Sequence, residues 1–214
     1  MLKNLTNVTV AILGAVATSA ATLPAPSMAT SSAVQPFSIV PEGHTQETET
    51  KEVVPEKPKV KRLVCKGCNT NETKTVEFLQ KRGITDKNAI ATIMGNIRQE
   101  STFTPNVCEG GARVSYSACR SGGYGLIQFT NAPRFYGLGK FAARIGGDPS
   151  TLDTQLQYIM YESDWKMIEP KMKTPGKSIN DYMGLAKKWI RWGHHGARTD
   201  YAYNYAKRLI LTEV

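Results

Sequence analysis

The chain has 214 residues, 41% hydrophobic and 21% charged, and 27 basic against 18 acidic residues give a formal net charge of +9. That length fits one ordinary domain, or one domain with tails, and excludes several independent cores. The charge favours an anionic polymer through long-range attraction that salt screens. Nucleic acid, membrane headgroups and bacterial cell wall all qualify, so charge alone selects none of them.

Met1-Leu2-Lys3 is a short basic start, and Val8 to Ala17 is an uncharged, mostly apolar run. Small residues and prolines follow, with Ser27-Met28-Ala29 suited to cleavage. This order predicts a secretory signal peptide over residues 1–29. Its apolar core is shorter than the roughly 20 residues a bilayer span needs. Export is therefore preferred over an uncleaved anchor, and membrane contact is expected only in transit, through that peptide. Residues 30–62 are rich in Thr, Glu, Pro, Val and Lys, with no apolar period. Such a segment cannot bury enough surface to offset its ordering entropy, which predicts a disordered linker. Residues 63–214 then form one compact domain. The linker's five acids and five bases cancel and the signal segment adds only Lys3, so +8 of the net charge lies in that domain.

Four cysteines, Cys65, Cys68, Cys108 and Cys119, are disulfide candidates in an exported protein, with three possible connectivities. A Cys108–Cys119 bridge would pin the loop after the helix described next. Cys65-Lys66-Gly67-Cys68 is similar to half a zinc site. The second pair, however, is ten residues apart with no nearby His, so no metal is expected. No βαβ pattern surrounds the motif to support a redox role.

Within the domain, Thr73 to Arg82 has helical spacing, ended by Gly83. Thr85 offers an N-cap for a helix from about Asp86 to Gln99, with Asp86 in its first turn. Ile90, Ile93, Met94 and Ile97 fall at i, i+3, i+4 and i+7 and define a buried stripe. Glu100 continues that stripe. A carboxyl group on an apolar face at a helix C-terminus is disfavoured in its charged form, which suits a general acid; the bland alternative is a Glu at a frayed end, turned into water.

Phe103 and Pro105 mark the helix exit, and Cys108-Glu109-Gly110-Gly111 reads as a turn. Residues 112–130, with Val114, Tyr116, Tyr124, Leu126, Ile127 and Phe129 around Ser121-Gly122-Gly123, predict a small β-hairpin or loop pair. Helical segments are expected over Pro133 to Ile145, Leu152 to Lys166, Ile179 to Trp192 and Thr199 to Leu211. The fold class is mainly α with a small β element. His194-His195 reads as a surface turn. At least one of Trp189 and Trp192 is expected to be buried, and the alternating Tyr201, Tyr203 and Tyr205 cannot share one helical stripe.

Met94-Gly95-Asn96-Ile97-Arg98-Gln99-Glu100-Ser101, then Phe103-Thr104-Pro105, then Tyr124-Gly125-Leu126-Ile127-Gln128-Phe129, resembles the phage tail lysozyme family of the lysozyme-like superfamily. More loosely it is similar to goose-type lysozymes and lytic transglycosylases, which share Glu-Ser followed by Gly-Leu-x-Gln. Arg134-Phe135, Gln155-Leu156 to Glu162, and Arg198 with Tyr201-Ala202 extend the likeness over about residues 73–210. The resemblance implies an α+β lysozyme-like fold. It implies a glycosidase that cuts the β-1,4 bond between N-acetylmuramic acid and N-acetylglucosamine in bacterial peptidoglycan, with Glu100 as general acid and no cofactor. Ser101, Tyr124, Gly125, Gln128, Phe129 and Arg134 would serve substrate binding. Glu109 is the candidate second carboxylate: Glu100-x8-Glu109-x5-Ser115 is similar to the Glu-x8-Asp-x5-Thr set of T4-type endolysins, with Glu and Ser replacing Asp and Thr. Without a role for Glu109, the chemistry would be that of a lytic transglycosylase. The resemblance places the protein outside the cytoplasm, periplasmic or secreted, or on a virion beside phage tail proteins. The competing readings are an inactive wall-binding or virion structural module and nucleic-acid binding, which only the charge supports, so no nucleic-acid partner is expected.

Overall fold

A computed structural model describes residues 60–213, apart from Ser121 and Asn131. The expected signal peptide and nearly all of the expected linker lie outside the described residues. Among the described residues, seven α-helices and one two-stranded antiparallel sheet make the fold mainly α. Among the described residues no helix is long and apolar enough to cross a membrane.

Strand β1 (Lys61–Cys65) begins two residues before the expected domain edge and pairs with β2 (Leu209–Glu213), from Lys61 opposite Glu213 to Cys65 opposite Leu209. The sheet therefore joins the two ends of the domain. Of the hairpin or loop pair expected at 112–130, the structure has the loop, with isolated bridges Val107–Arg113 and Cys108–Tyr124 and a 3-10 turn at Tyr116–Ala118. The physical reason is where its backbone bonds go. Leu126 N–H donates to the Gln155 side chain, Tyr116 N–H to Ser150 Oγ and Gly123 N–H to Glu109, so these groups do not build a ladder.

Helix α1 (Thr70–Lys81) opens on a capping box in which Asn69 accepts from Glu72 N–H and the Glu72 carboxylate accepts from Asn69 N–H. Helix α2 (Lys87–Ser101) is capped by Asp86 rather than Thr85, because the carboxylate reaches Ala89 N–H. Its stripe Ile90, Ile93, Met94 and Ile97 is buried, as its spacing requires. Helix α3 (Ala132–Ile145) is followed by α4 (Leu152–Tyr161) and α5 (Ser163–Lys173), where a single helix to Lys166 was expected. Glu162 breaks them apart with an extended backbone (ψ 142°). Helix α6 (Ile179–Ile190) carries a Ser178–Asp181 capping box, and α7 (Arg198–Arg208) hands directly to β2, three residues short of the helix end expected at Leu211.

The core runs between α2, α6 and α7. Trp165 and Trp189, fully buried, meet edge to face at 4.9 Å. At Gly95 an added Cβ would lie 2.7 Å from Ala202 N and from Arg198 O. The missing side chain lets the backbone of α7 rest directly on α2.

Candidate active site

Helix α2 carries the buried stripe to its last turn and then stops. Thr102 and Phe103 both adopt left-handed backbone (φ 50° and 58°), an uncommon conformation outside glycine. Phe103 is held there by burial, by an edge contact with Tyr205 at 6.0 Å, and by Asn71, which donates to its carbonyl. Glu100 thus sits at a rigid exit, its side chain 14% exposed. The expected dry apolar setting is not what surrounds it. Arg198, at the start of α7, donates from Nη2 to Glu100 Oε1 and forms an ion pair with it.

That arginine is itself built in. Its side chain is 6% exposed, lies 4.9 Å over the Trp192 ring, and donates from Nη1 to the carbonyls of His194 and His195. Its Nε is buried without a partner among the described residues. Gln99, the neighbour of Glu100, accepts from Ala197 N–H and ties the same turn to α2. The close approach permitted by Gly95 thus carries Arg198 to the carboxylate.

The second wall comes from the loop at 124–130. Tyr124 is fully buried, and its hydroxyl bonds Val114 O and Ser150. Gly125 has φ 73°, and a Cβ there would fall 2.2 Å from Gln155 Oε1. Gln155, wholly buried, accepts from Leu126 N–H and donates to the carbonyls of Pro105 and Pro149, clamping the loop. Ser101 donates to Leu126 O, joining the end of α2 to the same segment. Gln128 is left-handed (φ 49°) and folds its amide back to Gly125 O.

Glu100, Gln128, Arg134, Trp192, His194 and Arg198 line one cleft of about 400 Å³. Of the residues expected to contact substrate, Gln128 and Arg134 face it. Ser101, Tyr124, Gly125 and Phe129 are instead the frame behind it. Phe129 is fully buried beneath the Arg134 guanidinium, 5.5 Å away. Glu109 is not among the cleft residues; its Oε2 accepts from Gly123 N–H at 2.9 Å within its own loop. Glu100 is the single carboxylate among the described residues lining this cleft. Arg134 makes a two-pronged pair with Glu162, both contacts 2.7 Å. Burial alone would lower the Arg134 guanidinium, but the Glu162 carboxylate outweighs it and raises it.

The four cysteines pair as Cys65–Cys68 and Cys108–Cys119, the latter closing the loop after α2. No cluster of His, Cys, Asp and Glu suited to a metal occurs among the described residues. Trp189 is buried, whereas Trp192 lines the cleft; His195 stays exposed. Sequence reasoning assigned no site role to Arg198 or Gln155. The closing Arg-x-x-Tyr-Ala pattern holds Arg198, but nothing local in it points to Glu100.

A mainly helical domain whose buried helix brings a glutamate, in its last turn, to the lining of an open cleft has the arrangement of a lysozyme-like fold. The chain belongs to the phage tail lysozyme family, whose match runs over residues 70–209. It is also similar to morphogenesis protein 1 of Bacillus phage B103, 32% identical over 102 residues, which is 48% of this chain and 26% of that protein. The chain thus spans about a quarter of the length of that relative.

Proposed function

We propose that this protein cuts the glycan strands of bacterial peptidoglycan at the β-1,4 bond between N-acetylmuramic acid and N-acetylglucosamine, with Glu100 as the proton donor. The observation that carries this reading is the placement of Glu100: fixed by a rigid helix end, nearly buried, and facing an open cleft. In the structure the Glu100 carboxylate accepts from Arg198. A sugar entering the cleft has hydroxyl and amide groups that can take over the Arg198 donors. The freed carboxylate takes up a proton from solvent and passes it to the glycosidic oxygen as the bond from that oxygen to the anomeric carbon breaks.

The transition state is oxocarbenium-like and needs a stabiliser. Glu100 is alone among the carboxylates of the described residues that line the cleft, which favours a route in which it acts first as acid and then as base. Attack by the substrate's own hydroxyl would give an anhydro product, as in lytic transglycosylases. Hydrolysis assisted by Glu109 requires that acid to leave Gly123. The apolar leader supports delivery by export, and the likeness to a phage morphogenesis protein supports delivery on a virion.

The test is clearing of a suspension of Gram-negative peptidoglycan by the full chain and by Glu100→Gln. The amide keeps an oxygen that can accept from Arg198, so the fold is retained while the proton is lost. Clearing should fall by about 10²–10⁴-fold, with circular dichroism and wall pelleting unchanged. Equal clearing rates would refute the assignment of Glu100. Pelleting by the wild type without any glycan release would make the protein a binding module instead.

A further inference from the structure

A second depression of about 770 Å³ adjoins the Glu100 cleft, and Arg134 and Arg191 line both. It is formed by α3, the end of α4 and the start of α5. Its two acids are already engaged: Glu162 by Arg134, and Asp164 by Arg191 at 2.6 Å. Lys140, Arg144 and Lys166 also line it, all exposed, and none of the three has a carboxylate partner among the described residues. Arg144 lies 4.3 Å over the Tyr161 ring and donates to its hydroxyl at 3.0 Å; Lys166 Nζ lies 4.8 Å over the same ring. The Arg144 hydrogen bond, with the nearby Lys166 charge, draws the Tyr161 hydroxyl below the usual phenol range. Two cations therefore crowd one exposed aromatic ring while a third stands close by. An anion with some apolar body relieves that crowding, whereas an uncharged sugar does not.

Resting on the function proposed above, we propose that this depression holds the stem peptide of the peptidoglycan strand, with its free carboxylates on Lys140, Arg144 and Lys166. The stem peptide hangs from the muramic acid sugar and is the strand's source of negative charge. A muramoyl unit held beside Glu100 would project its peptide past Arg134 and Arg191 into the depression. A strand stripped of peptide offers no carboxylate there. The site thus reads whether a glycan is peptide-bearing.

Soluble glycan strands, intact or stripped with an amidase, supply the test, together with calorimetric binding of a disaccharide-tetrapeptide and of the peptide-free disaccharide. The full chain should prefer the peptide-bearing forms by about tenfold, as three exposed ion pairs each give roughly a two- to threefold gain. A triple variant, Lys140→Gln, Arg144→Gln and Lys166→Gln, should lose that preference through KM and affinity, with kcat and the stripped-strand rate unchanged. Added salt should erode the preference in the wild type alone. Equal affinity for both disaccharides in the wild type, or a preference that survives the triple substitution, would overturn the proposal. Failure to cut either strand would instead overturn the proposed activity, and the calorimetric comparison would still decide the stem-peptide site.

Discussion

Arg198 reaches Glu100 across 98 residues of sequence, and two backbone carbonyls and the Trp192 ring hold it in place. In the proposed reaction it is a positioning residue, holding the carboxylate at the cleft until substrate competes for its donors. Arg198→Ala would leave a nearly buried carboxylate without its cation, a loss of about 3–5 kcal/mol for buried pairs. Arg198→Lys keeps the charge but cannot supply the two-nitrogen fork that serves Glu100 and the carbonyls together. The account predicts a fall in kcat on the order of 10²-fold for the lysine variant, since small misplacements of a catalytic group have effects of that size. KM should rise as well, because the entering sugar uses the same Arg198 donors. Steady-state kinetics on soluble strands, with thermal unfolding as the stability control, would show this. A lysine variant with wild-type kcat would remove the positioning role.

At the scale of elements, the site depends on α7 lying against α2 at Gly95. Alanine is the better helix former by about 1 kcal/mol, but here its methyl would meet backbone atoms at 2.7 Å. Overpacking of a close contact costs about 1–3 kcal/mol, so the clash wins. Gly95→Ala should lower the unfolding free energy by about that amount in urea and should also reduce activity, because Arg198 moves with α7. Greater stability in the variant would contradict the close contact. The course of α2 was legible in the sequence because its apolar stripe has an unbroken period, and the stripe pointed to Glu100. The partner on α7 was not, since a contact between distant elements leaves no local pattern. Nor was the break at Glu162: the apolar residues resume on its far side at Trp165 and Ile168, and periodicity does not register a single extended residue. Leu209-Ile210-Leu211 read as the end of a helix because a short apolar run is ambiguous between helix and strand. Tyr124, Gly125, Phe129 and Ser101 were legible as a group but not as to role. Their order marks them as one loop set against the end of α2, while only burial separates the frame from the surface that faces the cleft.

For the whole molecule, the sheet formed by the two ends of the domain, Lys61–Cys65 against Leu209–Glu213, closes the helices around one core. The cleft and the basic depression then lie side by side and share two arginines. The net positive charge anticipated an anionic polymer, and the basic depression beside the cleft suits the charged branches of the strand proposed as substrate. Mass spectrometry of the products released from purified sacculi separates glycan cleavage from peptide cleavage. The expected products are disaccharide-peptides cut between muramic acid and glucosamine, with anhydro-muramic ends where Glu100 works alone, and none of these from Glu100→Gln. Fragments cut within the peptide, with the glycan strands left whole, would contradict the proposed activity.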